Sequence, residues 1–185
     1  SHRLKAYGEL LEDGKLTAIS FKDPEKFNFA FDVVDELGKT KPEKLAMLHI
    51  SEDGTERRFT FQDIAKESGR AANYFKSLGI KRGDRVMLVL KRHYQFWFAI
   101  LGLHKLGAIA IPATNQLVEK DFVYRFQAAD VSAIVCTADG DTAHQVELAE
   151  KTAGMNLTKI MAGGKRDGWH DFDNEYHFFS RRWIR

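Results

Sequence analysis

The sequence predicts an α/β fold with a mostly parallel sheet flanked by helices and a small antiparallel hairpin as an accessory. Two observations predict it. Short apolar runs of strand length alternate with longer helical segments along most of the chain, and several of these segments are followed by a glycine. Such an alternation favours parallel strands, because each helix carries the chain back to the start of the next strand.

The amino-terminal part is predicted to hold one helix and one hairpin. Residues 27–37 carry apolar side chains at helical spacing, and Gly38 follows them, so we expect the helix to end there. Residues 45–50 and 57–61 are strand-like, and Gly54 between them can adopt the positive φ of a tight turn. We therefore expect an antiparallel pair.

A second helix is predicted directly after the hairpin. Thr60 and Asp63 have the spacing of a capping box, which marks a helix start. An apolar stripe then runs from Ile64 to Leu78 and ends before Gly79, a residue typical of helix ends. This helix should pack one face on the sheet.

The middle of the chain has the length and order of a βαβ unit. Residues 86–90 and 108–111 are apolar runs of strand length, and the almost wholly apolar segment 96–106 between them is a buried helix. Ligands of open parallel sheets meet the loops beyond the carboxyl ends of the strands. The loops in question are 91–94 and 113–116.

The alternation continues to the carboxyl end. We predict helices at residues 121–129 and 142–153, strands at 132–137 and 158–161, and a weak helical segment at 169–179. The last residues, 178–185, are aromatic and basic and offer neither a helix stop nor a strand partner. We therefore expect the chain to be cut short inside a larger protein.

Composition excludes several classes of protein. The 28 basic and 26 acidic residues nearly balance, and a net charge of +2 does not favour nucleic acid as a partner. The longest uninterrupted apolar run, 96–103, is far shorter than the ~20 residues that span a bilayer, and residues 1–5 lack a secretory apolar core. Cys136 is the single cysteine, which excludes an internal disulfide. We expect a soluble, cytoplasmic protein without a membrane span.

The common catalytic motifs are missing from the printed sequence. Residues 163–166 lack the upstream glycine and the hydroxyl of a phosphate-binding P-loop, and no strand is followed by a Gly-x-Gly-x-x-Gly pattern. No Gly-x-Ser-x-Gly elbow occurs, and the seven histidines lack the spacing of a zinc site. His104, on an otherwise apolar helix, is predicted to be a packed residue. The residues by themselves support neither a hydrolase nor a metalloenzyme.

Six segments, taken together and in order, resemble the opening portion of AMP-forming acyl-CoA synthetases of the adenylate-forming superfamily. Medium-chain and acetate-type members are the most similar. The resemblance covers residue 27 to about Trp169. The segments that carry it are residues 27–35, 59–61, 70–73, 79–86, 105–108 and 111–114.

The resemblance implies a two-step reaction. A carboxylate attacks ATP to give an acyl-adenylate and pyrophosphate, with Mg²⁺ assisting, and the thiol of coenzyme A then displaces AMP. The family's phosphate loop and its catalytic lysine do not occur in the printed sequence. We therefore expect residues 1–26 to be an amino-terminal extension and 27–185 to be the amino-terminal subdomain, truncated before the ATP-binding loop. On this hypothesis the chain alone is inactive and binds no ATP, coenzyme A or Mg²⁺.

The resemblance also implies a site along the coenzyme A channel, which the loop after residues 108–111 approaches. The candidate polar contacts there and on the next loop are Thr114, Asn115, Gln116, Thr137 and Asp139. Acetate-type relatives carry an arginine beyond the second loop, whereas Ala143 and His144 stand here.

Two alternatives remain open. The 114–116 loop is equally well explained as an ordinary turn whose side chains satisfy backbone groups. The whole chain could also be a stand-alone α/β module that binds a protein or a small nucleotide without catalysis.

Overall fold

The computed structural model describes residues 6–10, 16–21 and 24–185. The chain divides into two compact units, Ser1–Ala65 and Lys66–Arg185. The boundary predicted between residues 26 and 27 concerns the family's domain organisation and stays a prediction.

The first unit contains two antiparallel hairpins. Strands β1 (Ala6–Leu10) and β2 (Leu16–Phe21) form one of them, which the sequence analysis did not predict within the amino-terminal extension. Strands β3 (Leu45–Ile50) and β4 (Glu56–Thr60) form the other, as predicted. Gly54 has a φ of +82° in the turn between β3 and β4, which is why glycine suits this position.

The predicted first helix is present but does not end at Gly38. The chain forms a 3₁₀ turn at Pro24–Lys26, a π-helical segment at Ala30–Asp35 and then α1 (Glu36–Thr40). A Cβ atom on Gly38 would lie 3.1 Å from the Cβ of Ala65, so the glycine permits close packing inside the helix. The expectation that Gly38 stops the helix was therefore wrong.

Helix α2 (Phe61–Ser77) begins with the predicted capping box. The backbone N–H of Thr60 donates to Asp63 Oδ2 at 2.8 Å, and the N–H of Asp63 donates to Thr60 Oγ1 at 3.2 Å. These two bonds satisfy donors that a helix start otherwise leaves unpaired. Gly79, with a φ of +85°, follows the helix.

The second unit is built on a five-stranded parallel sheet, which confirms the predicted fold class. Its strands are β5 (Arg85–Val89), β6 (Ile109–Pro112), β7 (Ala133–Thr137), β8 (Thr158–Ala162) and β9 (His170–Asp171). The spatial order is β6-β5-β7-β8-β9, and every neighbouring pair is parallel. Strands β6 and β9 therefore form the two edges.

Three helices connect the strands as predicted: α3 (Gln95–Leu106), α4 (Glu119–Ala128) and α5 (Thr142–Ala153). Gly107 ends α3 with a φ of +82°, and its N–H donates to carbonyls of the last helical turn. This is the usual way in which a glycine closes a helix, because it lacks the Cβ that opposes a left-handed conformation.

The segment predicted as a weak helix over residues 169–179 is divided between three elements. Its beginning is strand β9, which pairs with β8, and only then follow α6 (Phe172–Glu175) and a 3₁₀ turn at Tyr176–Phe178. The expectation of a helix from residue 169 was thus wrong for the strand residues. The pairing with β8 is a tertiary contact that local periodicity does not report.

One face of the sheet packs against α4 and α5. Met87 and Val89 of β5 belong to a buried cluster with Phe122 and Phe126 of α4 and Val146 of α5. Each of these side chains is fully buried. This packing is the expected outcome for a parallel strand, whose apolar run is buried on both faces.

Aromatic side chains of α2 and the carboxyl-terminal segment pack together in the second unit. Phe172 and Tyr176 are stacked with ring centroids 4.5 Å apart, and Tyr74 of α2 meets Phe172 edge-on at 5.8 Å. Val86 and Leu88 alternate with the β5 residues of the α4–α5 side and are also buried. The sheet is therefore covered on both faces.

The carboxyl end contacts the rest of the second unit. The indole N–H of Trp183 donates to the backbone carbonyl of Lys105 in α3 at 3.1 Å. Residues 178–185 pair with no described strand, as expected, but Trp183 gives the segment a tertiary contact with α3.

Candidate binding edge of the parallel sheet

The predicted site residues lie at or beyond the carboxyl ends of β6 and β7. All strands of the sheet are parallel, so their carboxyl ends meet along the same edge. Strand β5 has β6 on one side and β7 on the other, and the chain visits β6 before crossing to β7. The loops that follow β5 and β7 consequently leave the sheet in different directions, and α/β proteins bind ligands at such a switch point of the strand order.

A hydrogen-bonded pair joins the loops that follow β5 and β7. His93 Nε2 lies 2.6 Å from Asp139 Oδ2. The His93 side chain is 27% exposed and that of Asp139 is 49% exposed, so the pair is open to water on the Asp139 side. The predicted residue Asp139 is therefore engaged by a residue that the sequence analysis did not single out.

A carboxylate connects the same region to the loop after β8. Asp173 Oδ2 accepts the backbone N–H of Gly163 at 2.6 Å, and Asp173 Oδ1 accepts the amide N–H of Gln95 at 2.8 Å. A Cβ on Gly163 would lie 3.3 Å from the His93 ring, so this glycine lets the loop pass close to the histidine. The amide oxygen of Gln95 is buried without a hydrogen-bond partner within residues 25–185. It is a free acceptor at the start of α3.

The 114–116 loop is held in a compact turn. The backbone N–H of Gln116 donates to Thr114 Oγ1 at 3.3 Å, and the hydroxyl of Thr142 donates to the carbonyl of Asn115 at 3.4 Å. The Thr114 hydroxyl therefore satisfies a backbone group, as the alternative interpretation of this loop expected. The exposed side-chain amide of Gln116 forms no hydrogen bond to the described part of the chain.

Thr137 differs from the other predicted residues because it is buried. It is the last residue of β7, its side chain is 1% exposed, and its hydroxyl has no hydrogen-bond partner among the residues whose side chains are described. Thr137 thus does not line an open surface in this structure. Its role at the site stays a prediction.

The sequence analysis missed His93, Gln95, Gly163 and Asp173. His93 falls in the 91–94 loop, which was predicted to lie at the carboxyl end of a strand, so its place at the edge was accessible to prediction. The hydrogen bond between His93 and Asp139 could not be predicted, because the two residues are 46 positions apart in the sequence. Asp173 carried no sequence signal.

Burial sets the ionisation of two further groups in this unit. Burial raises the pKa of the Cys136 thiol to about 12, so this cysteine is a poor nucleophile. Burial lowers the pKa of His104, in agreement with its prediction as a packed residue.

Metal binding and membrane insertion find no support in the described ranges. No three His, Cys, Asp or Glu side chains of residues 25–185 come together in a way that could hold a metal ion. No helix of the described chain combines the length and apolar character that crossing a bilayer requires.

Comparison with known proteins identifies the family of the chain. The chain matches the family model for AMP-binding enzymes over residues 34–176. It is 37% identical over 155 residues to the mitochondrial acyl-coenzyme A synthetase ACSM5 of Rattus norvegicus, an alignment that covers 80% of this chain and 27% of that protein. It is 34% identical over 152 residues to the mitochondrial acyl-coenzyme A synthetase ACSM3 of Homo sapiens, covering 79% of this chain and 26% of the relative. The chain thus spans about a quarter of the length of these relatives.

Solved structures share the fold. The acyl-CoA synthetase of Brucella canis superposes with a TM-score of 0.71 at 26% identity, over 84% of this chain and 28% of that one. A benzoate CoA ligase of Burkholderia xenovorans LB400 superposes with a TM-score of 0.68 at 23% identity, over 83% of this chain and 29% of that one, which is a likeness in fold alone.

The parallel sheet and its superposition on these ligases place the chain in the class of α/β proteins with the adenylate-forming fold. The match to the family model covers most of the chain, and the chain belongs to the AMP-binding enzyme family. The resemblance to acyl-CoA synthetases inferred from the sequence is confirmed.

Proposed function

We propose that this chain is the amino-terminal part of an AMP-forming acyl-CoA synthetase. Its membership of the AMP-binding family and its similarity to named acyl-coenzyme A synthetases support this function. In the proposed reaction a carboxylate oxygen bonds to the α-phosphorus of ATP and pyrophosphate leaves. The sulfur of coenzyme A then bonds to the acyl carbon, and AMP leaves.

The part of this chain in the reaction is to form one wall of the coenzyme A channel. The observation that carries the proposal is the exposed Gln116 amide at the carboxyl end of β6, on a turn fixed by Thr114. A side-chain amide both donates and accepts hydrogen bonds, as do the amides of pantetheine and the edge of adenine. Asn115 lies between these two residues, and its backbone is held by Thr142.

The second loop has a positioning role in this proposal. Asp139 bonds to His93 and holds the loop after β7 near the loop after β5. Thr137 is the last residue of β7 and is buried beside this loop, and its contact with the channel stays a prediction. The described residues do not fit a Mg²⁺ site, so metal binding by this chain is not part of the proposal.

A separation of the two half-reactions tests the site. In the complete synthetase that contains this chain, Gln116→Ala should raise the KM for coenzyme A up to about tenfold. This fold-change corresponds to the free energy of one lost hydrogen bond. Carboxylate-dependent exchange of pyrophosphate into ATP should not change. Gln127→Ala, an exposed amide on α4, is the matched control and should leave both reactions unaltered. An equal loss in both half-reactions, or no loss in either, would contradict the assignment.

We also propose that the 185 residues alone do not adenylate a carboxylate. The test is pyrophosphate release by the isolated chain with ATP, Mg²⁺ and straight-chain carboxylates from acetate to octanoate. We expect no release above that of a heat-denatured sample. Carboxylate-dependent release would overturn this proposal while leaving the family assignment intact.

The predicted cytoplasmic location stays part of the proposal. The curated relatives are named as mitochondrial proteins, which is a property of those proteins. Fractionation of cells that express the complete protein with a carboxyl-terminal tag distinguishes the two compartments. Recovery with a mitochondrial marker would contradict the cytoplasmic prediction.

A further inference from the structure

A side chain of helix α2 binds backbone carbonyls of the carboxyl-terminal segment. The side-chain amide nitrogen of Asn73 lies 2.8 Å from the carbonyl oxygen of Ser180 and 2.9 Å from that of Arg182. It also lies 3.3 Å from the carbonyl of Gly69. Carbonyls two residues apart point to the same side of an extended chain, so one amide group contacts both. These contacts depend on the path of the segment and not on its side chains.

Gly69 allows the segment to lie directly on the helix. A Cβ at this position would be 2.1 Å from the carbonyl oxygen of Arg181 and 3.0 Å from its carbonyl carbon. Gly69 and Asn73 are four residues apart and share one face of α2. A glycine inside a helix is unfavourable relative to alanine. Here the absence of a Cβ allows the backbone of Arg181 to contact the helix.

Trp183 anchors the end of the segment. Its indole N–H donates to the carbonyl of Lys105 at 3.1 Å, and Lys76 Nζ lies 5.7 Å from the centre of its ring. Lys105 is in the last turn of α3, where carbonyls have no partner within the helix. The tryptophan therefore satisfies a helix end and links α3 to α2.

We propose that Gly69, Asn73, Lys76 and the carbonyl of Lys105 form a groove that docks an extended peptide carrying a tryptophan. Residues 180–183, the strap, are its intramolecular occupant and can leave it. Ser180, Arg181 and Arg182 are exposed and Trp183 is half-buried, so the apolar surface of the strap that undocking uncovers is confined to the tryptophan. An emptied groove presents the Asn73 amide and the Lys105 carbonyl to another segment of the same chemistry.

Native-state trypsin digestion measures release of the strap, since Arg181 and Arg182 are cleavage sites within it. Cleavage follows the population of the open form when opening is fast. Asn73→Ala should speed cleavage after Arg181 and Arg182 about tenfold, because it removes the two hydrogen bonds that hold the strap. Gln127→Ala is the control and should match the wild-type chain.

Gly69→Ala separates strap release from general instability. The added Cβ displaces the strap and not a neighbouring helix, and the better helix propensity of alanine offsets part of the lost strap contacts. Cleavage at Arg181 and Arg182 should therefore accelerate at least tenfold while the urea midpoint changes little. Unchanged cleavage in both Asn73→Ala and Gly69→Ala would overturn the proposal. So would cleavage that changes only in proportion to global stability.

A fluorescein-labelled peptide with the sequence of residues 180–185 tests docking from outside. The chain with Trp183→Ala, whose strap is loosened, should raise the anisotropy of the peptide in a saturable way. Adding Asn73→Ala should weaken that binding about tenfold, and a peptide in which alanine replaces tryptophan should not bind. Absence of saturable binding, or equal binding of the two peptides, would overturn the proposal.

Discussion

His93 Nε2 and Asp139 Oδ2 lie 2.6 Å apart and connect the loops after β5 and β7. The two residues are 46 positions apart in the sequence. The contact lies at the point where the strand order of the sheet changes direction. The geometry of the candidate edge therefore depends on a hydrogen bond between side chains and not only on the strands beneath it.

We expect a measurable coupling between these two residues. In a double-mutant cycle of His93→Ala and Asp139→Ala, urea unfolding should give a coupling free energy of about 0.5–1 kcal/mol, a small value because Asp139 is half-exposed. Asp130 precedes β7 and so lies near the amino-terminal ends of the strands, away from His93. A cycle of His93→Ala with Asp130→Ala should be additive. Additivity in the first cycle would show that the contact does not hold the loops.

The Cys136 thiol should be inert in the folded protein. Its side chain is fully buried, and burial raises its pKa to about 12, so the thiolate population near pH 8 is very small. Ellman's reagent at pH 8 should react only after unfolding in urea, and the signal is unambiguous because the sequence has one cysteine. Rapid modification of the native protein would contradict the described packing of β7.

The stability of the second unit should fall at alkaline pH. Burial, followed by the nearby Glu175 carboxylate, raises the pKa of Tyr74, and burial together with a hydrogen bond to Glu67 raises that of Tyr176. Because the folded pKa values are raised, the neutral forms contribute stability that is fully present below the unfolded value of about 10 and is lost as the pH rises above it.

Absorbance at 295 nm during a pH titration checks this expectation. Tyr74 and Tyr176 should ionise only together with unfolding, and the Tyr74→Phe, Tyr176→Phe double variant should lose this part of the alkaline transition. Tyr124, which is 71% exposed, provides the control through Tyr124→Phe. Ionisation of all tyrosines near pH 10 in the folded protein would contradict the burial of these two.

Gly102 should not tolerate a side chain. A Cβ at this position of α3 would lie 2.8 Å from the Cβ of Ala71 and 3.0 Å from the backbone nitrogen of Ala72 in α2. Gly102→Ala should therefore destabilise the protein by about 1–3 kcal/mol in urea unfolding, in spite of the better helix propensity of alanine. Ala71→Gly in the same chain should recover part of the loss. A neutral Gly102→Ala variant would mean that the two helices can move apart at little cost.

Elements with strong local signals were predicted well from the sequence. The segment 142–153 coincides with α5, and the Thr60 and Asp63 capping box opens α2, because periodicity and capping are properties of neighbouring residues. Gly38 and strand β9 were missed for the opposite reason. Gly38 is set by its packing against Ala65 and β9 by its pairing with β8, and both are tertiary contacts that the local sequence pattern does not report.

The candidate site was predicted only in its position. The place of the 114–116 and 137–139 loops at the carboxyl edge follows from the order of strands and helices. The state of each side chain does not, since Thr137 is buried and Asp139 is bonded to His93. Which polar groups are free therefore depends on tertiary contacts, and Gln116 is the predicted residue whose exposed amide remains available.

The two edge strands of the parallel sheet are short. A sheet edge presents unpaired N–H and C=O groups on which another chain can add a strand. Strand β6 is only four residues long and ends in Pro112, which has no N–H to donate, while β9 at the far side is two residues long. Neither edge strand offers a long row of unpaired backbone groups, so the addition of a strand from another chain to this sheet is disfavoured.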